Sequence, residues 1–455
     1  MSAARTVRKS FDRAIVEGPI GRAVWMLAWP TILQNLFGGL QGMVDHIMVG
    51  HFVGYTGNAA IGISLQIYLV LIVFVSSLFG GMSVLVARFA GAGQTEQVDR
   101  TVFQALLAAL VLGVGVMAPV GWFVAPWLLR LVHATAEVRA QALPYLRILF
   151  VGGVGMLLFF LFGFALRSAG DAHTPLRLGV VMTLLNLGLN VVLIRGLGPV
   201  PALGTAGAAL GTAISGLLVS GWAIRLMLSG QLVVHLPRGA RWRFDWEVLR
   251  ELLRFGLPTG LQGIAMNVAG VWLLRYIGSL PASAQAQAAY AVGYTELFSL
   301  VTWASFGLRG AAAAVAGQNL GAGHPERSVR GVHTAAGIAV GVATVVAVLF
   351  LTIPGRLLGI FGLDDPIVLR LGKQLLGYLS VSGFFIAVAL AYTGGLQGTG
   401  DTRSPLYISI VSQIAVPLGF CGFVEATRGL HATDIWLAIV LGVASLVVLR
   451  RFFGG

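Results

Sequence analysis

Charged residues are scarce in this chain, and their scarcity excludes a soluble globular protein. Lys, Arg, Asp and Glu make up 10% of the 455 residues, whereas soluble globular proteins carry roughly a quarter. Hydrophobic residues make up 57%, more than one soluble core could bury. Cysteine occurs once, at Cys421. A single cysteine excludes an intramolecular disulfide and a cysteine-based metal cluster, and we interpret Cys421 as a small core residue.

Sequence motifs of catalysis are also missing. The chain contains no GxxxxGK[ST] phosphate loop, which excludes an internal ATPase. It contains no HExxH pattern, and its eight histidines are scattered, mostly between apolar segments. We therefore expect no enzyme activity, no catalytic residue and no cofactor. Energy for any transport must come from an ion gradient or from the substrate's own gradient.

Long apolar stretches recur from Val24 to Val448 with short polar joints between them. A stretch of about 20 apolar residues crosses the bilayer as a helix. Backbone polar groups in lipid must be satisfied within the segment, and these stretches are too long and too evenly apolar for barrel strands. The sequence predicts an all-α membrane protein of twelve transmembrane helices, which we call spans 1 to 12.

The formal net charge of +13 suggests nucleic acid as a partner, but the placement of the charges argues against it. Most Lys and Arg lie at the N-terminus, in the even-numbered joints and at the C-terminus. Because cytoplasmic loops carry an excess of Lys and Arg, both termini are predicted to be cytoplasmic. We expect a multi-pass membrane protein that has no nucleic-acid partner.

The two halves of the chain resemble each other. Three segments recur at a nearly constant spacing of about 230 residues, which indicates an internal duplication: 27–31 with 255–259, 91–93 with 321–323, and 168–176 with 398–406. Each copy holds six spans, an even number, so the copies are parallel. Parallel halves suit alternating access to a substrate site near the midplane.

We therefore predict two six-helix lobes, 1–228 and 255–455, joined by a cytoplasmic linker, 229–254. The end of the linker, from Asp245 to Arg250, has the pattern of a short amphipathic surface helix.

Of the 17 acidic residues, only Asp45 in span 1 and Glu296 in span 8 are predicted to lie deep in the membrane. A charge there costs about 2.5–3.5 kcal/mol on insertion scales, so such a residue is a functional candidate. Asp45 has an alternative interpretation, in which it lies near the outer end of span 1 and is capped or wetted by the loop from His51 to Asn58. Glu296 is either a second proton or cation site or the partner of Arg275 or Arg309.

Span 5 carries two amides, Asn186 and Asn190, at i and i+4 on one helix face. With one carboxylate and a hydroxyl they can surround Na+, or they can hold a protonated carboxyl. Thr212 in span 6 is a candidate hydroxyl partner. The alternative is ordinary hydrogen bonding between helices. Pro30 and Pro258 lie inside spans 1 and 7, where each frees a backbone carbonyl and permits a bend.

Three motifs resemble those of the multidrug and toxic compound extrusion (MATE) family. In span 1, Pro30 is followed by Val44-Asp45-His46-Ile47-Met48-Val49-Gly50-His51, with His46 where the family usually has Thr. The segment from Gly317 to Ala322 is similar to the family's G-Q-N-x-G-A signature. The G-D-x-x-x-P joints at 170–175 and 400–405 are similar to its paired joints.

The resemblance implies two six-helix lobes that export amphipathic, often cationic, small organic compounds in exchange for H+ or Na+. Asp45 matches the family's span 1 acid, and Asn186 matches an amide of its cation site. Asn190 matches a position that is Asp in some relatives, and Thr212 the site's span 6 hydroxyl. Glu296 resembles a span 8 acid of the branch that includes DinF-like members.

The sequence departs from the family pattern in the second lobe. Met266 or Asn267 stands where many relatives carry an acid in span 7, and span 10 has no acid. Ion coupling is therefore expected mainly at Asp45. The alternative functions are a lipid-linked saccharide flippase of the same superfamily, which should line its cavity with several arginines, and a membrane enzyme acting on lipid.

Overall fold

Helices are the regular elements of the described chain, and no strand occurs among the described residues. The computed structural model describes residues 11–132, 135–236, 242–363 and 365–453, except for the side chains at 55 and 447–453. Cys421 is fully buried, as predicted for a core residue.

The first six spans have the following bounds: Ile20–Phe52, Tyr55–Gly91, Thr95–Leu131, Ala136–Gly152 with Val154–Ser168, His173–Arg195 and Gly204–Leu228. The second six are Trp246–Gly278, Ser283–Gly321, Pro325–Thr352, Pro366–Gly398, Arg403–Arg428 and Ala432–Phe453. Short helices also form at Ala14–Glu17 and Pro354–Gly359. Spans 3, 8 and 11 each contain a π-helical segment: Val111–Met117, Ala291–Leu297 and Ile410–Ala415.

Length and apolar composition support the membrane assignment. Within the described residues, nine helices are long and apolar enough to cross a bilayer, or ten if the two parts of span 4, which meet at 49°, form one span. Span 12 contains a shorter apolar helix, Ala432–Leu446. Span 1, Ile20–Phe52, is a helix of 33 residues but is not among the nine. This architecture agrees with the predicted twelve-helix membrane protein.

The joints that follow spans 4 and 10 have the same local structure, which explains why their sequences match. Gly170 and Gly400 have φ angles of 96° and 95°, a conformation that only glycine adopts without strain. The aspartate that follows each glycine accepts a hydrogen bond from the next helix. Asp171 Oδ1 is 2.9 Å from the Thr174 amide, and Asp401 Oδ1 is 3.0 Å from the Ser404 amide. These joints therefore end one helix and start the next.

The chain forms two compact units, and spans 1 and 7 each contribute to both. Among the described residues, unit 1 holds 33–260 with 11–13, and unit 2 holds 14–32 with 261–453. The division in each span falls two residues after its proline, Pro30 or Pro258. The first part of span 1 thus belongs to unit 2, and the first part of span 7 to unit 1. The predicted lobe boundaries, drawn in the joints, stay a prediction.

Glycines allow the first part of span 7 to pack closely within unit 1. A Cβ atom at Gly81 of span 2 would lie 2.2 Å from the Leu252 carbonyl oxygen, and one at Gly256 would lie 2.4 Å from the Ser77 carbonyl oxygen. Unit 2 has a similar contact, because a Cβ atom at Gly307 would lie 2.6 Å from the Ile32 side chain. Larger residues would force these helices apart.

The G-Q-N-x-G-A segment, together with Arg327, binds residues 15–18, which precede span 1, within unit 2. The buried Asn319 side chain donates to the Ile15 carbonyl at 3.3 Å, and Arg327 donates to the Gly18 carbonyl at 2.7 Å. Arg327 Nε also donates to Asn319 Oδ1 at 3.1 Å. In the fold, this motif and Arg327 therefore hold the backbone just before span 1 by hydrogen bonds to its carbonyl groups.

The described part of the linker is bound to span 3 in unit 1. Asp99 accepts from the His235 amide at 2.9 Å, and Gln104 both donates to the Arg243 carbonyl and accepts from the Asp245 amide. The hydrogen bond from Arg100 lowers the pKa of Asp245 below its usual value. The helix starts at Trp246 and continues to Gly278. The expected short surface helix is instead the start of span 7, because one helix runs from Trp246 to Gly278.

We predict that Gly81→Ala destabilises the protein, because the added methyl group overlaps the Leu252 carbonyl. Overpacking of this kind costs about 1–3 kcal/mol, which unfolding of the purified protein in detergent would measure. Gly62→Ala is the matched control in the same span, where a Cβ atom meets nothing within 4 Å. Equal stability of the two variants would contradict the close packing of spans 2 and 7.

Candidate functional site

Asp45 lies in span 1 and is bound to span 5. Its Oδ1 atom accepts a hydrogen bond from Asn190 Nδ2 at 2.6 Å, and the side chain is only partly exposed. The neighbouring His46 makes the contact with the following span, because its Nδ1 atom is 2.9 Å from Asn58 Oδ1. Among the described residues, no hydrogen bond joins Asp45 to the loop from His51 to Asn58. The depth of Asp45 in the membrane stays a prediction. Its hydrogen-bond partner is a transmembrane amide.

The other predicted residues lie in the same cluster. Asn186 and Asn190 are fully buried, and Asn190 Nδ2 donates to Asn186 Oδ1 at 3.1 Å. Asn186 Nδ2 lies 3.1 Å from Thr212 Oγ1, which reaches the cluster from span 6. Unit 1 thus brings together all four residues predicted for ion coupling, and we call Asp45, Asn186, Asn190 and Thr212 the span 1–5–6 cluster.

The Asn186 amide has a second orientation, in which it bonds to Asp45 directly. With its oxygen and nitrogen exchanged, the nitrogen donates to Asp45 Oδ1 at 3.2 Å. The oxygen then accepts from the Thr212 amide at 3.2 Å and from its hydroxyl at 3.1 Å. In this orientation two amides donate to one carboxylate oxygen, and the hydrogen bond from Asn190 to Asn186 is lost because two amide nitrogens face each other.

The cluster also contains a buried oxygen atom that accepts no hydrogen bond from the described residues. This atom is Asn190 Oδ1. Gly211 makes room for it, because a Cβ atom there would lie 2.2 Å from this oxygen. The structure shows no group of three or more His, Cys, Asp or Glu side chains placed to hold a metal ion in the residues it describes. A cation here would therefore be bound by one carboxylate and neutral oxygens.

Sequence reasoning missed Gln41, which borders the cluster. Gln41 Oε1 accepts from Thr183 Oγ1 at 3.0 Å, and its Nε2 atom is 3.2 Å from the Asn186 amide. Gln41 precedes Asp45 by four residues, so both lie on one face of span 1. That spacing of two polar residues in an apolar helix was the available signal.

Glu296 lies in unit 2, in the π-helical segment Ala291–Leu297. Such segments occur often at functional sites. No ion pair joins Glu296 to Arg275 or Arg309 in the described structure. Arg309 instead donates to Gln397, and Arg275 lies over the Trp272 ring. The predicted pairing is therefore wrong, and a role for Glu296 as a second acid stays a prediction.

Both candidate hinge prolines are followed by a threonine that bonds back along its helix. Thr31 Oγ1 donates to the Leu27 carbonyl at 2.8 Å, and Thr259 Oγ1 to the Phe255 carbonyl at 3.4 Å. Proline removes one backbone hydrogen bond, and a threonine bond to the i−4 carbonyl further favours bending.

Comparison with known proteins places these features in a family. The MatE family model matches residues 30–192 and 258–421. A "Probable multidrug resistance protein NorM" of Thermotoga maritima is 26% identical over 430 residues, which cover 94% of this chain and 90% of the relative. A "Multidrug resistance protein MdtK" of Pectobacterium atrosepticum is 25% identical over 450 residues, with 94% and 93% coverage.

A solved structure has the same fold. It is described as an outward-facing conformation of a multidrug resistance MATE family transporter of the MOP superfamily, and it matches with a TM-score of 0.90 at 21% identity. The match covers 98% of each chain.

We predict energetic coupling between Asp45 and Asn190. Hydrogen bonds to charged groups contribute about 1.5–3 kcal/mol, so the effects of Asp45→Asn and Asn190→Leu on the free energy of unfolding should be non-additive. The pair Asp45→Asn and Ser220→Ala is the control, because Ser220 bonds instead to the Gly155 carbonyl. Additive effects for Asp45 and Asn190 would show that the contact contributes nothing.

Proposed function

We propose, from the premise that this chain belongs to the MatE family of membrane transporters, that it is a secondary active antiporter. It is a multi-pass membrane transporter and not an enzyme. In our proposal it exports amphipathic, often cationic, small organic compounds from bacterial cells in exchange for H+ or Na+. It acts as a monomer in the inner membrane, with both termini in the cytoplasm.

One observation carries the ion-coupling proposal: the Asp45 carboxylate is bound by a transmembrane amide that itself lies in a buried polar cluster. Neutral neighbours leave the carboxylate's charge uncompensated, and a charge at this depth is costly. A proton or Na+ removes that cost by binding, so the protonation or ion occupancy of Asp45 changes the energy of unit 1.

With H+ as the coupling ion, Asp45 becomes a hydrogen-bond donor on one oxygen. The Asn190 amide now offers Nδ2 to the carboxyl group, and rotation of the amide by half a turn would offer Oδ1, which has no partner at present. Asn190 therefore binds the charged carboxylate through its nitrogen, as a donor, and the protonated carboxyl group through its oxygen, as an acceptor.

With Na+ as the coupling ion, the cluster supplies oxygen atoms to the cation. The Asp45 carboxylate provides the negative charge, while the Asn186 and Asn190 side-chain oxygens and the Thr212 hydroxyl replace water. Oxygen ligands of this kind suit a small hard cation. The Asn190 nitrogen would have to turn away from Asp45 to make room for its oxygen, which is the same rotation that protonation favours.

Span 1 transmits the change. Asp45 belongs to the part of span 1 in unit 1, and Pro30 belongs to the part in unit 2. A change in the hydrogen bonds of Asp45 therefore acts on the unit 1 part of span 1. The helix is weakened at Pro30, just before that part begins. In the proposed cycle, ion binding from outside neutralises Asp45, span 1 bends at Pro30, and the substrate is released.

We predict that Asp45→Asn reduces ion-driven efflux of a fluorescent organic cation to near background, because the amide cannot gain or lose a proton or bind Na+ by charge. Proteoliposomes with an imposed pH or Na+ gradient, each alone, would measure the efflux and identify the ion. Glu326→Gln, at an exposed acid, is the control for loss of negative charge. Full activity of Asp45→Asn, or transport of lipid-linked saccharide in place of the cation, would contradict the proposal.

We predict that Pro30→Ala slows transport several-fold while substrate affinity is retained. Alanine restores the amide donor to the Met26 carbonyl and stiffens span 1. Pro325→Ala is the matched control, because Pro325 is the first residue of span 9, where no helical hydrogen bond is missing. An unchanged transport rate in Pro30→Ala would exclude bending at this residue as a required step.

A further inference from the structure

Spans 10 and 12 form a groove between them in unit 2. We call it the span 10–12 groove, and its volume is about 420 Å³. Ligand-binding clefts have volumes of roughly 300–1,000 Å³, so the groove is large enough for part of an organic molecule. Seven residues line it, five from span 10 and two from span 12: Lys373, Gln374, Gly377, Tyr378, Val381, Leu437 and Val440.

The polar side chains of the groove lie toward the start of span 10. Lys373 is the first of them, and Val381 lies about 12 Å beyond it, since each helical residue adds about 1.5 Å. Leu437 of span 12 extends the apolar wall. Val381 is 47% exposed and Leu437 is 36% exposed, so the packing within unit 2 leaves this wall uncovered. The groove therefore combines a cationic end with an apolar wall.

Helix length places Lys373 at the border of the hydrocarbon layer. Span 10 is one helix of 33 residues, of which about 20 cross the layer. A layer centred on this helix extends from about residue 372 to about residue 392. Lys373 therefore lies at the level of the phospholipid headgroups, and Val381 lies among the acyl chains. A lysine at such a border keeps its apolar stem in the layer and its ammonium group in the polar region.

The short helix Pro354–Gly359 positions the Lys373 side chain. A Cβ atom at Gly355 would lie 3.2 Å from Lys373 Cε and 3.5 Å from its Nζ atom, so the end of the side chain rests against this glycine. No carboxylate of the residues that the structure describes forms an ion pair with Lys373. Its charge is therefore held beside the groove without a counter-ion from the described part of the protein.

We propose that the span 10–12 groove binds an anionic phospholipid, whose phosphate lies at Lys373 and whose acyl chain lies along Val381 and Leu437. Lysine binds phosphate as a point charge, and the Gln374 amide adds N–H donors. Charge complementarity selects this occupant. A phosphatidylcholine headgroup carries its own cation, and an uncharged molecule would leave the ammonium group without a counter-ion.

Gly377 keeps the groove open. A Cβ atom there meets nothing within 4 Å, so a large side chain at this position would extend into the groove and not into a neighbouring helix. Gly377→Phe therefore fills the groove and leaves Lys373 in place. Gly341→Phe is the matched control, because a Cβ atom at Gly341 of span 9 also meets nothing within 4 Å and this residue does not line the groove.

Chemical modification of Lys373 tests the proposal at the site itself. Lysine occurs only at Lys9 and Lys373, so peptide mass spectrometry follows each amine separately. Purified full-length protein is placed in nanodiscs of phosphatidylcholine, with or without an equal amount of phosphatidylglycerol, and is acetylated in high salt, which screens the general charge of the membrane surface. The reference amine is that of Arg130→Lys, because Arg130 is an exposed residue in the last turn of Ala118–Leu131.

We expect phosphatidylglycerol to slow acetylation of Lys373 at least about five-fold more than acetylation of the reference amine, because a bound phosphate holds the ammonium group. Gly377→Phe should remove this difference, and Gly341→Phe should preserve it. Equal slowing at the two amines would overturn the proposal, as would slowing that persists in Gly377→Phe. Slowing by oleic acid but not by phosphatidylglycerol would also overturn it and identify a fatty acid as the occupant.

Lys373→Gln keeps the proposal testable if Gly377→Phe folds poorly. Native mass spectrometry of the purified protein counts the phosphatidylglycerol molecules that it retains. We expect Lys373→Gln to retain one fewer than the unchanged protein, whereas Arg130→Gln retains the same number. An unchanged count in Lys373→Gln would contradict the lipid site.

The inference goes beyond the proposed export function and does not depend on it, since no residue predicted for ion coupling lines the groove. The lipid experiments use no ion gradient and no transported compound. If Asp45→Asn retains full ion-driven efflux, the coupling mechanism is wrong, yet protection of Lys373 still supports the lipid site. If phosphatidylglycerol does not protect Lys373, the lipid site is wrong, and the proposed export function is unaffected.

Discussion

The absence of water in the bilayer interior governs the arrangement of polar side chains in this protein. A buried polar group there needs a hydrogen-bond partner within the protein, because leaving it unpaired costs several kcal/mol. Asp45 is bound by Asn190, Arg167 by Gln34, and Arg309 by Gln397. Each contact joins two different spans, so these polar residues stabilise the helix packing, and the first contact is part of the span 1–5–6 cluster.

The two copies share their helix joints but differ in the polar side chains of their helix faces. The glycine–aspartate joints have nearly the same φ angles and the same capping bonds in both copies. The span 1–5–6 cluster has no such counterpart, since Asp45 corresponds to the region from Leu273 to Arg275. Backbone geometry allows few solutions for ending one helix and starting the next, whereas a side chain at a helix face can change without altering the fold.

Proline, threonine and glycine connect the scaffold to the proposed mechanism. In spans 1 and 7 the division between compact units falls two residues after a proline. Threonine bonds back along the helix at both places, and glycine contacts hold the first part of span 7 within unit 1. The first part of such a helix is firmly packed, and the helix is weakened at the proline. Bending is therefore expected at the proline and not along the whole helix.

The sequence by itself determined the class of fold, the repeat and the four residues of the cluster, because bilayer thickness fixes helix length and an intramembrane acid is rare enough to identify directly. It did not determine partners across the bundle. Asp45 could have been hydrogen-bonded to the following loop and Glu296 could have paired with Arg309, and only the packing of the helices decided against both. Spacing along a helix reports which residues share a face. The rotation and depth of the neighbouring helices decide which residue that face meets, and those depend on contacts that are distant in sequence.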